Sequence, residues 1–229
     1  MSNKRSRFLQ KQKLAIGFFA AIIILIVAYL SFILVKEAPM VEGFSEGTHY
    51  FLLENPRRIR GEKVEIMEFF SYGCVHCYNL DDDLNDWVKT NEDKITFVRT
   101  PAIANEQWRI YGRAYYAMEA NGLLEVNHSR IFREIHDTKR NIPTAEKFAE
   151  LLGNENTEAF LTAFNSLPTT QKIERADQLA RRFKIATVPN IVVNGKYLVK
   201  ASTNVGLSRM LDVIDHLIEL EKNVIPSSK

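Results

Sequence analysis

The only two cysteines of this 229-residue chain, Cys74 and Cys77, stand three residues apart, between an apolar strand-like run and a helix-like run. The first run is Val64 to Phe70; the second extends from about Val75 to Lys89. Side chains at i and i+3 of a first helical turn share one face. Their α-carbons then lie about 5–6 Å apart, within the range a disulfide tolerates. Unpaired N–H groups at a helix N-terminus favour negative charge, so a thiolate is stabilised at Cys74. The thiolate is the reactive form of the residue. Zinc competes for any C-x-x-C sequence, but a structural zinc site needs four ligands. The chain has no second cysteine pair, and His49, His128, His136 and His216 form no ligand-spaced pair. An inert structural disulfide is the other alternative. The spacing and the helix favour a redox pair over both.

Ahead of this stretch, residues 1–13 carry Lys4, Arg5, Arg7, Lys11 and Lys13 and no acid. Residues 14–35 are uncharged and rich in Ile, Leu, Phe and Ala. As a helix they reach roughly 33 Å, enough to cross a bilayer core. A secretory signal has a shorter apolar region and a small-residue cleavage site, which Lys36-Glu37-Ala38-Pro39-Met40 does not supply. The expectation is an uncleaved transmembrane anchor with its basic N-terminus in the cytoplasm. The rest of the chain then lies across the membrane, which in a bacterium is the periplasm, where disulfides persist. Of 30 basic residues five precede the anchor, leaving 25 against 28 acids. That balance gives no nucleic-acid surface.

Residues 36–47 read as a linker of mixed Pro, Gly, Ser and Glu. His49 to Glu54 forms a possible first strand, and Val64 to Phe70 a second. Alternation places Val64, Ile66, Glu68 and Phe70 on one face of the second strand, and Glu65, Met67 and Phe69 on the other. Glu68 is thus a carboxylate among apolar neighbours, either at a water-exposed edge or buried. If buried, its pKa rises and it influences the protonation of the cysteines. Leu80, Leu84 and Trp87 make the apolar stripe of the following helix, and Asp81, Asp82 and Asp83 read as a solvated face rather than a metal site. Ile95 to Thr100 is a third strand, ended by Pro101.

From Glu106 to Ile185 the period is helical. Helices are expected up to Gly122, over about Glu125 to Asp137, from a Thr144 cap to Gly153, from Asn156 or Thr157 through Phe164, and over about Thr170 to Phe183. Their aromatic residues read as core, and His128 and His136 as surface or packing residues. Ile191-Val192-Val193 and Tyr197-Leu198-Val199 flank Asn194-Gly195, a two-residue hairpin signal. Val205 to Leu220 closes the chain as an amphipathic helix.

The order β, β, α, β, helices, β, β, α carries specific motifs. Glu68-Phe69-Phe70-Ser71, Cys74-Val75-His76-Cys77-Tyr78, and Thr187-Val188-Pro189 before Val192-Val193-Asn194-Gly195-Lys196-Tyr197 stand in sequence around a helical insert. From about Gly47 to Lys222 the chain resembles the DsbA family of thiol:disulfide oxidoreductases. The resemblance implies an α/β thioredoxin-like fold with an inserted helical domain, preceded here by one transmembrane helix. Residues 48–105 and 186–224 would be its two thioredoxin-like parts, 106–185 the insertion and 225–229 a tail. Cys74 would be the exposed nucleophile and Cys77 its buried resolving partner. Val188-Pro189 would hold the cis-proline bond that packs against the cysteines and helps bind a substrate peptide. Glu68 falls on the family's buried acid; His76, between the cysteines, would if protonated tune the thiolate, the alternative being a bland exposed residue.

The resemblance further implies donation of the disulfide to newly exported protein thiols and reoxidation by a DsbB-like, quinone-linked membrane oxidase. No cofactor is expected beyond the Cys74–Cys77 disulfide, no metal, and a monomeric state. Val75 stands where many family members have proline, which restores an N–H and changes the rigidity of the first turn. A membrane-tethered thiol reductase of the cytochrome-maturation type, and a peptide-binding holdase with a structural disulfide, are the other two readings.

Overall fold

The computed structural model describes residues 22–27, 29, 43–153, 157–202 and 205–224. Most of the expected membrane span, 14–35, lies outside them. Ile22–Val27 and Tyr29 are helical and exposed, and among the described residues no helix is long and apolar enough to cross a membrane. The account below concerns the folded unit that begins at Phe44. Phe44 falls inside the stretch read as linker, yet its ring packs against His49 and His216, 5.3 and 5.5 Å away.

Five strands and seven helices follow one another along the described residues of the unit: β1 (Phe51–Leu52), β2 (Val64–Phe70), α1 (Val75–Asn91), β3 (Ile95–Pro101), α2 (Glu106–Ala120), α3 (Leu124–His136), α4 (Ala145–Leu152), α5 (Thr157–Phe164), α6 (Leu167–Arg182), β4 (Asn190–Val193), β5 (Tyr197–Lys200) and α7 (Leu207–Val224). They build one sheet in the order β1-β5-β4-β2-β3. β2 and β3 are parallel, which requires a crossover, and α1 supplies it. The other neighbouring pairs are antiparallel. This is a thioredoxin-like α/β fold with helices α2–α6 inserted between β3 and β4.

β2 lies between β4 and β3, and both of its faces are covered. Val64 and Ile66 pack with Leu80 and Leu84 of α1 and Met210, Ile214 and Leu217 of α7. Met67 and Phe69 face the other way, with Val192 and Phe183. The alternation expected from sequence therefore holds. Phe70 belongs to a third core with Phe132, Phe148 and Phe160 of the insertion, and that core also contains both cysteines.

Several elements differ from expectation for local reasons. β1 is only Phe51–Leu52, although the Leu53 N–H still bonds the Lys196 carbonyl at 2.9 Å. α6 begins at Leu167, ahead of the expected Thr170. Ser166 caps it by accepting from Thr169 N at 3.3 Å, and Pro168 fits in a first turn where its missing N–H has no partner to lose. The β4–β5 loop has three residues, since Val193 pairs with Tyr197. Asn194 and Gly195 adopt φ of 51° and 62°, as the Asn-Gly signal requires. Lys196 is the extra residue; its Nζ is held by Glu221 at 2.7 Å.

Candidate active site

β2 ends at Phe70, and Ser71 to Gly73 turn the chain into α1. Cys74 is the N-cap of that helix, in an extended conformation, and its Sγ accepts the Cys77 N–H at 3.3 Å. The sulfur thus takes the place an oxygen holds in an ordinary cap. Gly73 is needed for close approach: a Cβ there would lie 2.7 Å from Trp108 Nε1 of α2. Across the site Val188-Pro189 is a cis peptide, and the Val188 carbonyl oxygen sits 3.4 Å from Cys74 Sγ.

Both cysteines are free thiols. Cys77 is wholly buried and Cys74 retains 8 % exposure. The expected exposed nucleophile is therefore a sulfur in a shallow recess, shielded by the Val188 carbonyl. The two sulfurs differ sharply in acidity. The Cys77 thiol hydrogen bond, with backbone N–H groups of Cys77 and His76 and a smaller charge effect of His76, outweighs partial burial and lowers Cys74 to about 6. Burial drives Cys77 far above the ordinary thiol range, and the charges of Cys74 and Glu68 push in the same direction. His76 is exposed beside the pair. Val75 is half-exposed apolar surface next to Cys74.

Glu68 is buried, at 2 % exposure, and the water-open alternative is set aside because β2 is not an edge strand. Burial raises its pKa to about 7, against the pull of Arg99. Arg99 is its neighbour across the β2–β3 register and donates from Nε at 2.9 Å. Arg99 Nη2 reaches Asp81 Oδ1 at 3.2 Å and Asn85 Oδ1 at 2.6 Å. Ser129 Oγ donates to Asp81 at 2.6 Å, His128 Nε2 lies 3.1 Å from the same carboxylate, and the Tyr72 hydroxyl lies 2.9 Å from His128 Nδ1. Burial opposes the charge on Asp81, but the contacts from His128, Ser129 and Arg99 bring its pKa below the usual range. Burial lowers the pKa of His128, against the pull of Asp81.

This network corrects the reading of the aspartates. Asp82 and Asp83 are solvated, whereas Asp81 is buried at 2 % exposure. Its position was visible in principle: Cys77, Leu80, Asp81 and Leu84 have the i, i+3, i+4, i+7 spacing of one helix face. Arg99 had no local signal, since its partner is set by strand register. His128 is a buried packing residue. His136, from the same helix, stacks on Tyr78 at 5.1 Å and meets the Tyr72 carbonyl at 2.8 Å.

A groove of about 470 Å³ opens beside Val188, floored by Ala102, Ile103, Trp108 and Ile185 and edged by Arg181 and Lys184. The lining of a larger cavity, about 740 Å³, includes neither cysteine; Arg99, Asn85 and His128 contribute to its wall. Among the described residues no group of three or more His, Cys, Asp or Glu side chains is placed to hold a metal ion.

The titration of Cys74 has a consequence for stability. A thiol whose pKa is lower folded than unfolded stabilises the fold above the unfolded value and loses that contribution as pH falls through the folded one. The reduced protein is therefore expected to lose stability relative to the oxidised protein between about pH 9 and about pH 6. The Glu68 shift arises mainly from burial and Arg99, which both redox forms share, and largely cancels in the comparison. Thiolate absorbance should titrate near pH 6, and paired denaturation curves should converge in the same range. A midpoint near 9 would contradict the thiolate assignment.

Comparison with known proteins gives a consistent set of relatives. The family described as thioredoxin matches residues 61–213. The thiol:disulfide interchange protein DsbA of Azotobacter vinelandii is 36% identical over 163 residues, covering 70% of this chain and 76% of that protein. The Pseudomonas aeruginosa protein of the same name is 30% identical over 188 residues, covering 81% and 89%. A crystal structure of Pseudomonas aeruginosa DsbA superposes with a TM-score of 0.75 at 30% identity, over 80% of this chain and 97% of that one. The oxidoreductase NmDsbA1 of Neisseria meningitidis gives 0.69 at 25% identity, over 80% and 96%.

Proposed function

The chain belongs to the DsbA family of thiol:disulfide oxidoreductases, and we propose that it works as an oxidase, donating its Cys74–Cys77 disulfide to exported proteins through a mixed disulfide at Cys74. The observation that carries this direction is the split in thiol acidity, with Cys74 lowered to about 6 and Cys77 driven far up. A stabilised thiolate stabilises the reduced form, which makes the disulfide oxidising; the general argument is the one established for DsbA itself.

In the proposed sequence a client thiolate attacks Cys74 Sγ and the Cys74–Cys77 bond breaks. Cys77 leaves with the electron pair and takes up a proton. Buried and protonated, it is a poor nucleophile for the reverse attack. A second client thiolate then attacks the client sulfur of the mixed disulfide and expels Cys74 as a thiolate, the better leaving group. The client gains one disulfide and the enzyme becomes a dithiol. The charge of Glu68 helps to keep Cys77 protonated, and His76 favours the Cys74 thiolate. Val188-Pro189 and the adjacent apolar groove suit an extended client segment lying over Cys74.

Reoxidation of the dithiol is assigned to a quinone-linked membrane oxidase of the DsbB kind. The basic residues before 14 and the uncharged run 14–35 support a single-pass anchor in the inner membrane, with the catalytic unit in the periplasm and acting as a monomer. Tethering would raise the effective concentration of the enzyme beside such a partner.

The test is to mix the oxidised full chain with a reduced two-thiol client, quench with acid and map the adducts by mass spectrometry. A transient disulfide between client and Cys74, followed by oxidised client and reduced enzyme, is expected. Client oxidation without a Cys74 adduct, or no oxidation at all, would overturn the mechanism.

A further inference from the structure

Two consecutive residues at the end of α3 hold the chain on either side of the cysteines. His136 Nε2 meets the Tyr72 carbonyl oxygen at 2.8 Å, two residues before Cys74. The Asp137 carboxylate accepts the hydroxyl of Tyr78, one residue after Cys77, at 2.8 and 2.9 Å. The His136 ring also lies flat on the Tyr78 ring, with centroids 5.1 Å apart and planes inclined by 7°. A carbonyl oxygen only accepts, so Nε2 carries the proton, in the neutral imidazole and the imidazolium alike.

The carbonyl held by His136 belongs to a peptide that has two available orientations. Ser71 to Cys74 form a β-turn, closed by the Cys74 N–H on the Ser71 carbonyl at 3.0 Å. Its central peptide joins Tyr72 to Gly73. Such a peptide can rotate by half a turn when the third residue is glycine, which accepts the positive φ of the rotated form. Here Gly73 stays out of the positive-φ region. Both ends of the peptide are held: the carbonyl by His136, and the Gly73 N–H by Ser71 Oγ at 3.2 Å. Ser71 belongs to the turn itself, whereas His136 arrives from the helical insertion, 64 residues beyond Tyr72.

We propose that His136 is a positioning residue for disulfide exchange: its Nε2–H bond to the Tyr72 carbonyl fixes the Tyr72–Gly73 peptide in one orientation, and so fixes the direction in which Cys74 Sγ is presented to a client thiolate. Attack on a disulfide sulfur needs the incoming thiolate aligned with the bond being broken. A turn that samples both orientations spends less time with Cys74 aligned, so the mixed disulfide forms more slowly. His136 touches no client atom in this scheme and acts through the turn alone.

The donor and the ring of His136 can be separated by substitution. In the full chain, His136→Phe keeps an aromatic ring for Tyr78 and loses the donor; His136→Gln loses the ring and keeps an N–H donor on a side chain of similar reach. Each oxidised protein is mixed with a reduced two-thiol peptide, and acid quenching with mass spectrometry gives the rate of the Cys74 adduct. His136→Phe should slow adduct formation by about five- to tenfold, the change expected for one lost hydrogen bond. His136→Gln should stay within about twofold of the wild type, a recovery that a packing role does not predict. A Phe variant as fast as the wild type, or a Gln variant as slow as the Phe variant, would overturn the proposal. Should His136→Phe not fold, His136→Met against His136→Gln makes the same comparison between side chains of similar shape. The proposal rests on the mixed-disulfide reading, and the two fail separately: no Cys74 adduct in the wild type sinks that reading, whereas the His136 assignment is decided by the difference between its variants.

Discussion

Cys74→Ser is expected to abolish disulfide transfer and to leave a chain whose one remaining thiol is almost inert. At pH 7 most of Cys74 is thiolate, because its pKa lies near 6. Cys77 has no exposure, and burial keeps it protonated across the accessible range. Reactivity follows the product of thiolate fraction and access. Alkylation of Cys77 in the Cys74→Ser variant should therefore be at least about a thousandfold slower than alkylation of Cys74 in the reduced wild type. The reciprocal variant reports the cause of the acidity. The Cys77 thiol hydrogen bond is the largest influence lowering Cys74, so Cys77→Ala should move the Cys74 titration upward from about 6. Comparable alkylation rates for the two sulfurs, or an unmoved titration in Cys77→Ala, would contradict the division of roles.

Phe132→Ala should cost about 3–5 kcal/mol of stability, the range for truncating a fully buried aromatic residue. Phe132 is 1 % exposed and sits where the insertion meets the active-site turn. Its ring centroid lies 5.0 Å from that of Tyr72, 5.3 Å from His128, and 6.1 Å from each of Phe70 and Tyr78. The pairs with Tyr72, His128 and Phe70 are edge-to-face, and such pairs add to the burial itself. The cavity left by alanine would border Tyr72, two residues before Cys74, so loosening should reach the site. Chemical denaturation would measure the loss. A cost below about 1 kcal/mol would mean that the insertion is not tightly packed against the catalytic turn.

The parts of this architecture that sequence reveals are those set by local periodicity. β2 is a mostly apolar run, interrupted by Glu65 and Glu68, and its pattern alone bounds it at Val64 and Phe70. Its alternation placed Glu68 on the Ile66 and Phe70 side, where it lies. The Thr144 cap also follows from a side chain that competes for a backbone N–H group. Cys74 at a helix N-terminus follows from the order of strand and helix. The register of β2 on β3 does not, so no local pattern marks Arg99, which stands opposite Glu68. Asp81 was hidden in a run of three acids that reads as a charged face, and only its place on the Cys77–Leu84 stripe betrays it. The recess around Cys74 depends on Val188, more than a hundred residues away in the chain. The family motif, not periodicity, pointed to it.

The most direct measurement is the reduction potential of the Cys74–Cys77 pair in the full chain, equilibrated with glutathione. Each 30 mV is about 1.4 kcal/mol for this two-electron couple. With the Cys74 thiolate favoured and Cys77 held as a thiol, the pair should be clearly more oxidising than glutathione. A pair as reducing as thioredoxin would contradict the oxidase assignment and make the chain a thiol reductase.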